Sequence, residues 1–138
     1  MASIKDLILC SWNREDIHVN HWGKEYETGY YCSPRGYRDV VEVDNEGNKT
    51  YSLWGTPLCY KTKDNDFYFY ATGLGSAYYD CMSQTSRERI NNLINYGSVI
   101  QRRGENYWAM GAKEVKLEMG NWYKVDIGKA EKVESPIK

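Results

Sequence analysis

Phenylalanine and histidine are nearly missing from this chain of 138 residues, at two copies each. Two histidines leave little material for a histidine-rich metal centre or an acid–base pair, and they stand close together as His18 and His21. No CxxC pair occurs: Cys10, Cys32, Cys59 and Cys81 are 22, 27 and 22 residues apart, which removes the common redox and zinc-ribbon motifs. No apolar run approaches the roughly 20 residues that span a bilayer, and the run Leu7–Cys10 is too short for the core of a secretory signal. The expectation is a soluble, cytoplasmic protein with free buried thiols and no membrane partner. Strong net charge is lacking too: 18 basic and 19 acidic side chains leave −1, so the whole chain is no magnet for nucleic acid.

Tyrosine and tryptophan take the place of phenylalanine, at 13 and five copies. Each has a large apolar body and a polar tip, which suits half-buried sheet faces, and both are enriched with arginine at interface cores. The small net charge is also unevenly spread. Residues 1–50 hold six basic and nine acidic side chains, whereas residues 85–112 hold four and two. The acidic half suggests a partner-facing surface of Glu15, Asp16, Glu25, Glu27, Asp39 and Glu42, which could mimic nucleic-acid phosphates toward a basic target protein. The basic stretch is where a local anion site would lie.

The pattern along the chain predicts an α+β fold, mostly an antiparallel twisted sheet of consecutive hairpins with one short helix. Residues 4–12 read as a first strand, and residues 13–36 as irregular chain with a short strand near 27–32. Strand-like runs at 37–43 and 49–55 flank Asp44–Asn48, and runs at 57–63 and 66–72 flank Asp64–Asn65, two hairpin signals. A helix over about 85–96 is predicted from a Thr85/Glu88 capping box, an apolar stripe at Ile90, Leu93 and Ile94, and a stop at Gly97. Its opposite face carries Arg89, Asn92 and Asn95. Hairpins around Gly104-Glu105 and around Gly120-Asn121 complete a single domain over 1–128, with 129–138 a charged, frayed tail.

Three constellations could carry chemistry. Arg87 and Arg89 on the helix's first turn, with Arg102, Arg103, Tyr107 and Trp108 at the following hairpin, could hold an anion or stack a nucleotide ring between guanidinium and indole. Positive side chains at a helix start are not favoured by the macrodipole, so a charge partner is expected there. Cys10, His18, His21 and Cys32 are four zinc-capable residues, but their spacing matches no standard finger and no metal or cofactor is assigned. The carboxylate pair Asp64/Asp66 sits at a hairpin tip, in water, where neither member would be desolvated for acid–base work. Gly73 and Gly75 lack the third glycine and the lysine of a phosphate-binding loop.

The run WGTPLCYKT, then TSRERIN, then GSVIQRRGENYW resembles a small uncharacterised domain of tailed phages, with Thr56, Thr85, Arg89, Asn91, Val99, Gln101 and Trp108 at the matching positions. The departure is at Cys81–Gln84, where that pattern has a Gly-Trp pair. The resemblance implies a viral origin. By analogy with small phage proteins it implies a non-enzymatic inhibitor of a host factor, such as a defence nuclease in the manner of anti-CRISPR proteins. Nucleic-acid or nucleotide binding through the arginine–aromatic hairpin is the alternative, and a small metal-dependent enzyme built on the Cys/His cluster is a second. Unpaired strand edges and abundant aromatics also make a homo-oligomer an expectation.

Overall fold

Alternating polarity builds the main sheet. In Phe67-Tyr68-Phe69-Tyr70-Ala71 the odd positions are buried and the tyrosines half-buried, as the two-residue repeat of a pleated strand requires. The computed structural model describes residues 18–19, 25–26, 39–53, 55–73 and 81–137. The predicted strand at 4–12 lies outside them, as does the short strand near 27–32. The hairpins predicted around Asp44–Asn48 and Asp64–Asn65 are present as β3 (Asp39–Val43) with β4 (Lys49–Leu53), and β5 (Thr56–Lys61) with β6 (Phe67–Ala71). Two-residue strands β1 (His18–Val19) and β2 (Glu25–Tyr26) add to β3.

After β6 the chain leaves this sheet. It forms the helix α1 (Gln84–Leu93) and a second, three-stranded antiparallel sheet of β7 (Ser98–Arg102), β8 (Glu105–Met110) and β9 (Lys113–Lys116). It then re-enters the first sheet as β10 (Asn121–Asp126), paired with β6, and ends in β11 (Lys129–Val133). The large sheet thus runs β11-β10-β6-β5-β4-β3-β1-β2. The fold is α+β, and α1 is the one helix among the described residues.

A single row shows how the core is built. Val41, Tyr51, Cys59, Phe69 and Tyr123 are successive cross-strand partners over five strands, all buried. Phe69 and Tyr123 stack with ring centres 5.6 Å apart. A register shift between Tyr51 and Ser52 lets the consecutive residues Leu58 and Cys59 both be buried. From the other side come Ile90 and Leu93 of α1, Val99 and Trp108 of the small sheet, and Leu117.

Four expectations change. The helix begins two residues early: Ser83 is the cap, its Oγ accepting from the Ser86 amide at 3.1 Å. The buried stripe is Ser86, Arg89, Ile90 and Leu93, at i, i+3, i+4 and i+7, so Arg89 is 3 % exposed rather than on an outer face. Gly97 does not end the helix, which stops at Ile94 in extended conformation; Gly97 lies against Trp108 instead. The segments 113–119 and 122–128 do not pair. β9 turns back on β8 through Gly111, and β10 joins β6, where Trp122, Tyr123 and Val125 find the apolar residues that β9 lacks. Residues 129–133, expected in a frayed tail, form β11.

Candidate binding site

The arginine–aromatic set is divided by the fold. Arg103 and Gly104 have φ of 52° and 77°, a tight hairpin turn that follows the twist of β7 and β8. At this tip the Arg102 guanidinium lies 4.8 Å over the Tyr107 ring and pairs with Glu114. The Tyr107 hydroxyl donates to Glu105 at 2.8 Å, and the Lys116 ammonium donates to the same carboxylate at 3.0 Å. These two donors hold the Glu105 carboxyl below its usual range, while Glu105 pushes both the Tyr107 phenol and Lys116 up. A cleft of about 370 Å³ is lined by Arg102, Arg103, Glu105 and Tyr107, and no helix arginine reaches it. Trp108 is absent as well. It is 0 % exposed, with its indole N–H donating to the Tyr96 carbonyl at 2.9 Å. Arg89 is buried 3.6 Å from Glu88, and Arg87 is half-buried with its Nε unbonded.

Of the acidic set, only the side chain of Glu42 is described. Glu15, Asp16 and Glu27 lie outside the described residues, as do Cys10, His21 and Cys32, and of His18 and Glu25 only the backbone is described. Of Asp39, too, only the backbone is described, three positions before Glu42 on β3. Glu42 is exposed. Among the described residues no cluster of metal-ligating side chains occurs. Cys59 and Cys81 are free and buried, and burial pushes the Cys59 thiol far up.

The feature missed from the sequence is the outer face of the large sheet. Here Glu42, Thr50, Tyr60, Tyr68, Lys124 and Glu131 are successive partners across six strands. The Tyr60 and Tyr68 rings meet at 6.0 Å, and burial, then Asp44 and Glu46, push the Tyr60 phenol up. One step along, Tyr70 faces Trp122 at 5.4 Å between ring centres, tilted by 34°. These two rings floor an open cavity of about 920 Å³, walled by the β4–β5 turn at Gly55–Pro57, by Gly120 and Asn121, and by residues 132–135 and Ile137. Lys132 on that wall is held by Glu118 at 2.8 Å. A second depression of about 420 Å³ lies beside Tyr60, lined by Asp44, Glu46, Thr50, Pro136 and Ile137 among others. The Asp44 carboxyl is held below the usual range by accepting from the Asn48 backbone amide and side chain and from the Glu46 amide.

Tyr68 and Tyr70 stand two positions apart on β6, so the two-residue repeat of the strand puts them on one face. Nothing local told that Trp122 would stand beside them, because its segment pairs with β6 across 50 residues of intervening chain. Comparisons with protein-family models, curated proteins and solved structures find no match for this chain. No helix among the described residues is long and apolar enough to cross a membrane.

Proposed function

We propose that this chain is a non-enzymatic binding protein that occupies a surface of a partner protein through the outer face of its large sheet. In keeping with the phage resemblance, the partner is a host factor such as a defence component, which the chain inhibits or sequesters in the host cytoplasm. The observation that carries this reading is the row of half-buried aromatics, Tyr60, Tyr68 and Tyr70 beside Trp122, around an open cavity on a face with a charged rim. Rigid aromatics lose little conformational entropy on binding and dominate interface energetics, and charged residues at the rim set partner choice and encounter rate. Glu42, Asp44, Glu46 and Glu131 supply acidic side chains on or beside this face.

Nucleotide binding at the hairpin is the weaker reading. Arg102 is engaged by Glu114 and Tyr107, and the Glu105 carboxylate lines the same cleft, which opposes a phosphate. The test is capture from host lysate by tagged chain, with nuclease treatment, using wild type and Tyr68→Ser. A stoichiometric protein that survives nuclease and is lost with Tyr68→Ser is the expected result. Recovery of nucleic acid alone, falling steeply with salt, would move the function to the hairpin.

A further inference from the structure

Resting on that reading, the question is what chemistry the outer face accepts, and the chain's own C-terminal segment supplies an answer. Glu134 and Ser135 are exposed, but Pro136 and Ile137 after them are half-buried. The Ser135 hydroxyl accepts from the Ile137 amide at 3.2 Å and donates to the Ile137 carbonyl at 3.3 Å, so the proline sits in a closed bend. Ile137 lines both the cavity floored by Tyr70 and Trp122 and the depression beside Tyr60, and Pro136 lines the second. The bend therefore stands between two parts of one aromatic trough and divides it.

We propose that this trough is a recognition site for a short peptide segment in which proline precedes a branched aliphatic residue. In the isolated chain residues 135–137 stand across it, between its two parts. A proline ring and an aliphatic side chain suit an aromatic floor because both bury apolar surface with little entropy left to lose. Asp44 and Glu46 on the rim favour a basic residue near the aliphatic one. A partner segment must displace the chain's own bend, so its apparent affinity is reduced in proportion to the fraction of molecules with the trough open.

The experiment uses the full chain and a fluorescent synthetic peptide Val-Glu-Ser-Pro-Ile-Lys, the sequence of residues 133–138, titrated by anisotropy. Ile137→Asp sets a carboxylate toward Asp44 and Glu46 and unseats the bend. It is expected to bind the peptide about tenfold or more tightly than wild type. Pro136→Gly, which frees the bend without added charge, should shift binding in the same direction. Tyr70→Ser added to Ile137→Asp should remove the binding, and a Val-Glu-Ser-Gly-Asp-Lys peptide should not bind. Equal affinity in wild type and both released variants, or binding indifferent to Tyr70→Ser, overturns the proposal. If peptide binding fails while partner capture still depends on Tyr68, the peptide assignment falls and the functional reading stands. Peptide binding as expected with capture indifferent to Tyr68 supports the peptide site and overturns the functional reading.

Discussion

Replacing Gly97 by alanine tests how the helix region is packed against the small sheet. Gly97 has φ +73°, and a Cβ there would meet the Ala109 carbonyl oxygen at 2.6 Å and the Trp108 Cε2 and Nε1 atoms at 2.7 Å. Both obstacles are fixed. Ala109 is paired with Ser98 and Glu114, and the Trp108 indole is fully buried and tied to the carbonyl of Tyr96, the residue before Gly97. The left-handed backbone alone costs a side chain about 1–2 kcal/mol, and forcing a methyl into a filled core adds about 1–3 kcal/mol. The expected loss is about 2–5 kcal/mol. For a domain of this size that lowers Tm by about 6–15 °C. Gly104→Ala is the matched control: φ is +77° with no atom within 4 Å of the added Cβ, so only the backbone cost applies. Urea unfolding followed by tryptophan fluorescence would give both values at unchanged m. A Gly97→Ala loss no larger than that of Gly104→Ala would mean that Gly97 only shapes a turn, and would refute the packing argument.

Three further outcomes are expected. Ser83→Ala should cost about 1 kcal/mol through loss of the cap, with Thr85→Ala near zero because exposed Thr85 caps nothing; the reverse ranking by thermal unfolding would restore Thr85 as the cap. Glu105 has a folded-state pKa below its ordinary value of 4.5, so its contribution to stability is present above the unfolded value and is lost as pH falls through the folded one. Carboxyl NMR titration should show it low in wild type and higher in Lys116→Ala, and no change between the two would contradict the pairing. Cys59 should resist thiol reagents in the native protein and label only as fast as the chain unfolds, as read by peptide mapping; labelling at the rate of a free peptide thiol would contradict its burial.

Local chemistry explains which elements were legible. The hairpins around Asp44–Asn48 and Asp64–Asn65 follow from turn residues between alternating runs, and so does the hairpin expected around Gly104-Glu105, whose turn lies one residue earlier at Arg103-Gly104. The acidic and arginine sets were chosen by residue type and neighbourhood in sequence, and such a choice has no term for burial. Arg89 went inward because it shares the packed helix stripe with Ser86, Ile90 and Leu93, and Trp108 because β8 turns its even positions, Asn106 and Trp108, toward the core. Asn106 is buried there with its side chain accepting from the Met82 amide at 2.8 Å. Asn91, singled out only by resemblance, donates to and accepts from the backbone of Val99 at 2.9 and 2.6 Å, which occupies the outer edge of β7 at that residue.

The sequence by itself determined the α+β class, the paired strands on either side of β-turns, and the presence and approximate extent of the helix, since each depends on contacts a few residues apart. Only the tertiary structure decided that β10 lies beside β6 rather than β9, and so that Trp122 stands next to Tyr70 with the bend at Pro136 over the same face. Gly120-Asn121 satisfies the local rules for a hairpin turn, but the pairing went to the strand that buried Tyr123 and Val125 with Phe67 and Phe69 on one face and Trp122 against Tyr70 on the other. Burial over the whole chain outweighs turn preference, and the candidate site is made at the place where it did.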